Sequence, residues 1–207
     1  MNFGQALLHG AQTYPDKAAL VTEDKGFTYK QLNNRVNRLA NALLGAGIMP
    51  GQVVAVISHN IPEALELLWA AGKAGFIFVP INAMLKRQEI ERIFALMRPR
   101  ACVIEPELLS ELPPQENGCL IIHTDEVSYS LPNSLSYESF IAHSSEVEPG
   151  VETKPNQIFT VMLSSGTTGC PKGIVLTHSA RSLTCLFFGA EFGITSESRT
   201  LCELSFI

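Results

Sequence analysis

Residues 52–82, "QVVAVISHNIPEALELLWAAGKAGFIFVPIN", decide the fold of this chain of 207 residues. The segment opens with an apolar run, "QVVAVIS", continues with a helix pattern whose first turn contains Pro62, and closes with a second apolar run, "FIFVP". Strands that are apolar on both faces and are joined by a helix of this length form a right-handed βαβ crossover. The segment therefore predicts two parallel strands of one sheet.

The same alternation extends in both directions along the chain. Residues 86–98 form an amphipathic helix pattern that ends before Pro99, and the apolar runs "ACVIE" and "CLIIHTD" follow it. Upstream, residues 28–44 place apolar side chains at helical spacing. Buried strands separated by such helices predict an α/β fold: an open, largely parallel sheet with flanking helices on both of its faces.

The middle of the chain has a different character. Residues 124–157 are rich in Ser, Pro and Glu, and they contain one short helix candidate from Tyr137 to Ala142. No internal repeat and no low-complexity tract is present, and nothing in this stretch indicates a second core. We therefore interpret residues 105–157 as a variable surface excursion of a single domain that spans residues 1–207.

The composition excludes several classes of function. Hydrophobic residues make up 46% of the chain and charged residues 17%, as in an ordinary globular protein, and the formal net charge is −5. Because no extended basic surface is available to neutralise phosphates, we expect no nucleic-acid partner.

No segment approaches the roughly 20 apolar residues of a membrane span. The five cysteines include no pair at CxxC spacing, so no metal site is predicted and a cytoplasmic location is expected.

A loop rich in glycine and hydroxyl side chains follows the apolar run "IFTVML". A loop after a buried strand places its backbone N–H groups and hydroxyls at the carboxyl edge of the sheet, where open α/β folds bind ligands. Glycines let successive amides turn inward to bind an anion, and a lysine adds a full positive charge. We therefore predict a polyphosphate-binding loop made of Ser164, Ser165, Gly166, Thr167, Thr168, Gly169, Lys172 and Gly173.

This loop differs from the P-loop of nucleoside triphosphatases, whose pattern is G-x-x-x-x-G-K-[ST]. Pro171 stands at the place of the second glycine, and Gly173 stands at that of the magnesium-binding hydroxyl. In addition, the run "GIVLTH" after the lysine has a strand pattern, so no helix amino terminus follows the loop directly to bind phosphate. Both the residues and their context therefore disfavour a P-loop enzyme.

The stretch "SSGTTGCPKGIVLTH" resembles the phosphate-binding signature of the adenylate-forming enzymes, S-G-[ST]-T-G-x-P-K-G, with every fixed position present from Ser165 to Gly173. This family includes acyl-CoA synthetases, the adenylation domains of peptide synthetases, and luciferases. The resemblance extends back over residues 28–82, whereas residues 105–157 have no recognisable match. It implies that the chain is part of the large amino-terminal, AMP-binding domain of such an enzyme.

The resemblance implies a reaction in two steps. A small carboxylic acid attacks the α-phosphorus of ATP to give an acyl-adenylate and pyrophosphate, and the thiol of coenzyme A then displaces AMP. It also implies that the loop and Mg²⁺ stabilise the leaving pyrophosphate, with Lys172 as the catalytic residue. Thr167, Thr168 and Asn82 resemble acyl-CoA synthetases, of the fatty-acid or aryl-acid type, more than amino-acid-activating domains.

Two alternatives stay open: a carboxylate-activating domain that loads a carrier protein, and a non-catalytic, truncated remnant. The family's magnesium-binding glutamate, its adenosine-binding aspartate and its small carboxyl-terminal domain would all lie beyond residue 207. We therefore expect the chain alone to be inactive. A parallel sheet that stops before its neighbouring strands exposes an edge, so we also expect self-association through that edge.

Two histidines outside the loop are interpreted as structural. His178 is predicted to cap the helix that follows "GIVLT", because no carboxylate or nucleophile lies near it in the sequence to give it a catalytic role. His59 ends a predicted strand at the ligand-binding edge of the sheet, and we assign it to packing or to turn formation.

Overall fold

Helices and strands alternate along the chain, as the sequence predicts. The computed structural model describes residues 2–114, 118–124, 134–164 and 171–202. The helices are α1 (Gln5–Thr13), α2 (Tyr29–Gly45), α3 (Pro62–Ala74), α4 (Arg87–Met97), α5 (Tyr137–Ile141) and α6 (His178–Glu191). The strands are β1 (Ala18–Val21), β2 (Gly26–Thr28), β3 (Val53–Ser58), β4 (Ile77–Asn82), β5 (Ala101–Ile104), β6 (Leu120–His123), β7 (Ser134–Ser136), β8 (Ile158–Ser164) and β9 (Lys172–Thr177). A short 3-10 helix, Pro106–Glu111, follows β5.

Seven of these strands form one sheet in the order β7-β6-β5-β3-β4-β8-β9. Neighbouring strands are parallel except β8 and β9, which are antiparallel. β3 and β4 pair in register from Val53 opposite Ile77 to Ser58 opposite Asn82, and α3 connects them. The βαβ unit and the open, largely parallel sheet that the sequence predicts are therefore confirmed.

Helices cover both faces of the sheet. On one face, α1, α2, α3 and α5 enclose a core that includes Val54 and Val56 of β3. On the other face, α4 and the 3-10 helix enclose a second core, to which β3 contributes Ala55 and Ile57. Alternate side chains of a strand point to opposite faces, which is why β3 and β4 are apolar at every position except their last, Ser58 and Asn82. None of the helices in the described ranges has the length and apolarity needed to cross a bilayer.

Residues 105–157 contribute to the sheet and to the core as well as to the surface. β6 and β7 extend the sheet beyond β5, and α5 lies where the sequence places its short helix candidate. Tyr137 and Ile141 of α5 are fully buried in the first core. Because these strands and α5 are only three to five residues long, their apolar positions give little periodicity within a Ser-, Pro- and Glu-rich stretch.

A buried ionic network around Glu66 joins three helices. Glu66 of α3 is fully buried, and its Oε1 accepts a hydrogen bond from Nε of Arg35 on α2 at 2.7 Å. Its Oε2 accepts a second hydrogen bond, also at 2.7 Å, from the hydroxyl of Tyr137 on α5. The guanidinium of Arg35 also donates to both carboxylate oxygens of Glu138, at 3.1 and 2.6 Å. Both carboxylate oxygens of Glu66 therefore have hydrogen-bond donors in place of the water that burial removes.

A second buried network holds residues 145–148 against α2. The Lys73 side chain is only 3% exposed, and its ammonium donates to Asn33 at 2.6 Å, to Asn37 at 2.8 Å and to the Glu148 carboxylate at 2.6 Å. Burial lowers the pKa of Lys73. Burial would raise the pKa of Glu148, but its hydrogen bond with Lys73 keeps that pKa below the ordinary value. An acidic segment from the middle of the chain is thereby fixed to the helical layer.

Thr177 caps α6, so the prediction that His178 is the cap is wrong. The Thr177 hydroxyl accepts a hydrogen bond from the Ala180 N–H at 3.2 Å, and His178 is the first residue of the helix. The ring of His178 turns into the core and stacks on Phe159, with ring centroids 4.9 Å apart. Its Nδ1 accepts a hydrogen bond from the Phe3 N–H at 3.3 Å. His178 therefore ties the amino terminus of the protein to α6.

The burial of His178 predicts a loss of stability in acid. Burial lowers the pKa of His178 from 6.5 to about 4, so between these values the unfolded chain binds a proton that the folded protein does not. We expect the free energy of unfolding to fall by about 3 kcal/mol from pH 7 to pH 4 through this residue. In His178→Asn the side chain does not titrate, so this part of the fall disappears. Urea unfolding of both proteins over this pH range measures it, and parallel pH profiles would contradict it.

Candidate functional site

The predicted phosphate-binding loop connects β8 with its antiparallel neighbour β9. β8 is parallel to β4, so its last residue, Ser164, lies at the carboxyl edge of the sheet, where β3, β4 and β5 also end. β9 starts from this edge at Lys172, directly opposite Ser164. α6 begins only after β9, so no helix amino terminus adjoins Lys172, as the strand pattern of "GIVLTH" predicts. Both ends of the loop therefore lie at the predicted ligand-binding edge.

Three of the predicted binding residues, Ser164, Lys172 and Gly173, are among the described residues. The Ser164 hydroxyl donates a hydrogen bond of 3.4 Å to the Lys172 carbonyl, and the next pair in the ladder is Leu163 opposite Gly173. These contacts hold the two ends of the loop side by side. The other predicted residues lie outside the described ranges, and their binding roles stay predictions: Ser165, Gly166, Thr167, Thr168 and Gly169.

The ammonium of Lys172 is available to a ligand. Lys172 is exposed, and within the described part of the chain no carboxylate forms an ion pair with it. The Ser164 hydroxyl lies at the same point of the edge. An exposed ammonium without a carboxylate partner suits a polyphosphate, since charge-assisted hydrogen bonds to phosphate oxygens are among the stronger ones in proteins. The described end of the loop thus fits the anion that the sequence predicts.

Gly173 allows β9 to lie close to β8 at the base of the loop. A Cβ atom at this position would lie 2.8 Å from Cγ1 of Val161 on β8. Val161 is itself buried in the second core, so its methyl group has little room to move away. The missing side chain at Gly173 therefore helps to set the position of Lys172, the preceding residue in the strand.

Substituting this glycine is expected to disturb the base of the loop. We expect Gly173→Ala to lower the free energy of unfolding by about 1–3 kcal/mol, the usual cost of overpacking. Val161→Ala removes the methyl group that the new Cβ atom would meet. The double variant, Gly173→Ala with Val161→Ala, should therefore recover part of the lost stability. Gly45→Ala is the control, because a Cβ there meets no atom within 4 Å. Urea unfolding compares the four proteins, and equal stability of Gly173→Ala and Gly45→Ala would contradict the assignment.

The same edge carries a cluster of ionisable side chains that the sequence analysis missed. Nδ1 of His59, after β3, lies 3.1 Å from Oε2 of Glu105, after β5. One ligand atom from each of His59, Glu105 and Glu107 lies within 4.8 Å of the others, the one such group that could hold a metal ion in the described ranges. The His59 side chain is 62% exposed, so it is not a packing residue. Its carbonyl accepts a hydrogen bond of 3.0 Å from the Ile61 N–H, as expected of the alternative prediction, turn formation. One feature of the sequence could have indicated this cluster: Glu105 directly follows the buried run "ACVI", which places a carboxylate at the carboxyl end of a strand.

Comparison with known proteins gives a consistent family. The family profile described as AMP-binding enzyme matches residues 7–207. Feruloyl-CoA synthase of Amycolatopsis sp is 29% identical over 92% of this chain and 36% of its own length. Tyrocidine synthase 1 of Brevibacillus parabrevis is 30% identical over 91% of this chain and 16% of its own length. The crystal structure of the anthranilate CoA ligase AuaEII in complex with anthranoyl-AMP matches with a TM-score of 0.83 and 28% identity, over 92% of this chain and 37% of that one. The chain thus spans little more than a third of the length of feruloyl-CoA synthase and of AuaEII.

Proposed function

Because the chain belongs to the AMP-binding enzyme family, we propose that it takes part in the ATP-dependent activation of a small carboxylic acid. The acid becomes an acyl-adenylate and then a thioester of coenzyme A, and this chain supplies the phosphate-binding loop, residues 164–173. The observation that carries the proposal is the position of Lys172, exposed at the carboxyl edge and paired across the sheet with Ser164. No disulfide joins the four cysteines of the described ranges, which suits a cytoplasmic enzyme.

In the first step, the bond between a carboxylate oxygen and the α-phosphorus of ATP forms. The bond from that phosphorus to the bridging oxygen breaks, and pyrophosphate leaves with the electron pair. The ammonium of Lys172 and the loop donors bind the β- and γ-phosphates and stabilise the charge that develops there, and Mg²⁺ supplies further positive charge. In the second step, the sulfur of coenzyme A attacks the acyl carbon, and AMP leaves.

A second candidate function differs only in the acceptor of the acyl group. The 30% identity to tyrocidine synthase 1 supports transfer to a carrier-protein thiol. Thr167, Thr168 and Asn82 favour coenzyme A instead, because these residues resemble those of acyl-CoA synthetases. The truncated-remnant alternative has neither acceptor, since it predicts no activation of any acid.

Carboxylate-dependent exchange of labelled pyrophosphate into ATP tests the proposal. The assay compares the 207-residue chain with any longer product of the gene, over a panel of aryl and fatty acids. We expect exchange in the longer product and none in the chain alone. Exchange by the chain alone would contradict the expected inactivity, and no exchange by either would favour the remnant. Product analysis with coenzyme A and with a carrier protein then distinguishes the two acceptors.

A further inference from the structure

An imidazole and two carboxylates meet where β3 and β5 end. We call this group, which consists of His59, Glu105 and Glu107, the Glu105 cluster. His59 directly follows β3, Glu105 directly follows β5, and Glu107 lies in the first turn of the 3-10 helix. Because β3 and β5 are parallel neighbours, their carboxyl ends lie side by side at one edge of the sheet. The sheet therefore brings together three side chains from two separate parts of the sequence.

The distances within the Glu105 cluster suit a single divalent ion. Nδ1 of His59 lies 3.1 Å from Oε2 of Glu105, and one ligand atom from each of the three residues lies within 4.8 Å of the others. The ligand atoms of a tetrahedral zinc ion, each about 2.0–2.2 Å from the metal, lie roughly 3.4 Å apart. The donors are therefore close to this spacing, and rotation of the exposed side chains of His59 and Glu107 can bring them to it.

The carboxylates of the cluster have no basic side chain beside them. Within the part of the chain that the structure describes, no Lys or Arg forms an ion pair with Glu105 or Glu107. The Glu105 side chain is only 12% exposed, and carboxylates held away from water are usually paired or coordinate a metal. Because an imidazole that binds a metal is neutral, a divalent ion would balance the charge of the two carboxylates.

A buried hydroxyl at the end of β3 points independently to a bound group. Ser58 is only 2% exposed, and its Oγ has no hydrogen-bond partner within the described ranges. The large majority of buried side-chain hydroxyls have such a partner, and an ion or its bound water is one way in which an exception is satisfied. Ser58 directly precedes His59 in the sequence.

Ser58 and Glu105 project to the same side of the sheet. Val56 of β3 and Val103 of β5 both pack in the first core, and Ser58 and Glu105 follow them by two residues, so each pair shares a face. The ladder continues to Glu105, whose N–H donates to a β3 carbonyl at 3.3 Å. Oε2 of Glu105 in turn accepts a hydrogen bond from the N–H of His59. The carboxylate thus lies across the end of β3, on the side to which the Ser58 hydroxyl points.

We propose that the Glu105 cluster binds a divalent transition-metal ion, with His59, Glu105 and Glu107 as its ligands. One imidazole with two carboxylates suits Zn²⁺, whereas Mg²⁺ and Ca²⁺ prefer oxygen ligands alone. Three protein ligands leave a coordination position for water, which the Ser58 hydroxyl can bind. The sequence predicts no metal site because it has no cysteine pair at CxxC spacing, and that criterion does not detect a site of this kind.

This metal site is separate from the predicted phosphate-binding loop. β4 lies between β3 and β8 in the sheet, so the cluster and Ser164 belong to strands that are not neighbours. The bound ion would connect the residues after β3 to the 3-10 helix after β5 and would stabilise both turns. The inference goes beyond the proposed function and does not depend on ATP or on a carboxylic acid.

Titration with ZnCl₂ tests the proposal, followed by calorimetry in a variant of the 207-residue chain without exposed thiols. Because thiolates also bind zinc, this parent protein carries Cys170→Ser, Cys185→Ser and Cys202→Ser. We expect one Zn²⁺ to bind per chain and Mg²⁺ to bind far more weakly. Absence of saturable zinc binding would overturn the proposal, and so would Mg²⁺ binding as tight as that of Zn²⁺.

Variants of the parent protein identify the ligands. We expect His59→Ala and Glu105→Gln each to weaken zinc binding by about tenfold or more, since loss of even a residue that only supports a ligand costs about 10–100-fold. His9→Ala and Glu91→Gln are the matched controls, because these side chains are exposed on α1 and α4, outside the cluster. Equal zinc affinity in the ligand variants and the controls would contradict the assignment.

A second measurement guards against misfolding of a variant. Zinc that binds the folded protein raises its Tm by mass action, so the Tm of the parent and of His9→Ala should rise with the zinc concentration. The exposed His59 can be replaced without opening the core, so His59→Ala should unfold at the parent's Tm without zinc and should not respond to zinc. The same rise of Tm in His59→Ala would overturn the proposal.

Discussion

Glu66→Ala is expected to lower the free energy of unfolding by about 3–5 kcal/mol, the usual cost of removing one partner of a buried ion pair. The substitution leaves Nε of Arg35 and the hydroxyl of Tyr137 without the acceptor that each now has at 2.7 Å. It also opens a cavity where α2, α3 and α5 meet. Urea unfolding, followed by the fluorescence of the single tryptophan, measures the change as a shift of the midpoint. A loss below about 1 kcal/mol would contradict the role of Glu66.

The control uses the other carboxylate that Arg35 binds. Glu138 is partly exposed to solvent, so Glu138→Ala should cost less than about 1 kcal/mol. A combined variant, Arg35→Met with Glu66→Leu and Tyr137→Phe, removes the charges and the hydroxyl together. Because no buried polar group then lacks a partner, this variant should recover most of the loss. If the combined variant does not recover stability, the network does more than pair its own charges and also fixes the geometry of the three helices.

Lys172→Ala, in a form of the enzyme that carries out adenylation, is expected to slow pyrophosphate exchange by about 10²–10³-fold, the usual effect of losing one donor to a developing charge. The apparent affinity for the carboxylic acid should change far less, because in the proposed function the ammonium binds the leaving group and not the acid. Exchange rates over a range of acid and ATP concentrations separate the two effects. An unchanged exchange rate would remove Lys172 from the mechanism.

Two further lysine variants make this result specific. Lys154→Ala removes another exposed lysine, which precedes β8 and therefore lies at the opposite end of that strand from the loop. It should leave the exchange rate unchanged. Lys172→Arg keeps the charge but alters its shape and reach, so its rate should lie between those of Lys172→Ala and the unaltered protein. A rate in Lys172→Arg as low as that of Lys172→Ala would show that position matters as much as charge.

The central sheet could be predicted from the sequence because its strands are buried on both faces. The runs "VVAVI" and "ACVI" have no polar position, and the helices between them are long enough to show their periodicity. β7 and α5 gave weaker signals, because elements of three and five residues carry too few apolar positions. The loop is predicted to be a binding site because glycines, hydroxyls and a lysine together have few other uses, and the binding roles of its residues stay predictions.

The buried networks could not be predicted in the same way. Leu32, Val36 and Leu39 mark the apolar stripe of α2, but nothing in the sequence distinguishes the buried Asn37 or Glu66 from exposed polar residues. Two of their partners, Tyr137 and Glu148, come from the middle of the chain, where no periodic pattern indicates which side chains turn inward. The Glu105 cluster was missed for a related reason, since it depends on the order of β3 and β5 in the sheet.

The order of strands in the sheet affects the order in which the protein folds. β4 and β8 lie side by side, yet residues 83–157 separate them in the chain, so their contact is among the last to form. On the ribosome, β3, β4 and β5 and their helices emerge before β8. Until β8 has been synthesised, one side of β4 has no neighbouring strand. The hairpin that carries Lys172 can dock only onto a sheet that already exists. The loop predicted to bind phosphate therefore takes its place only after the strands that form its edge of the sheet have been made.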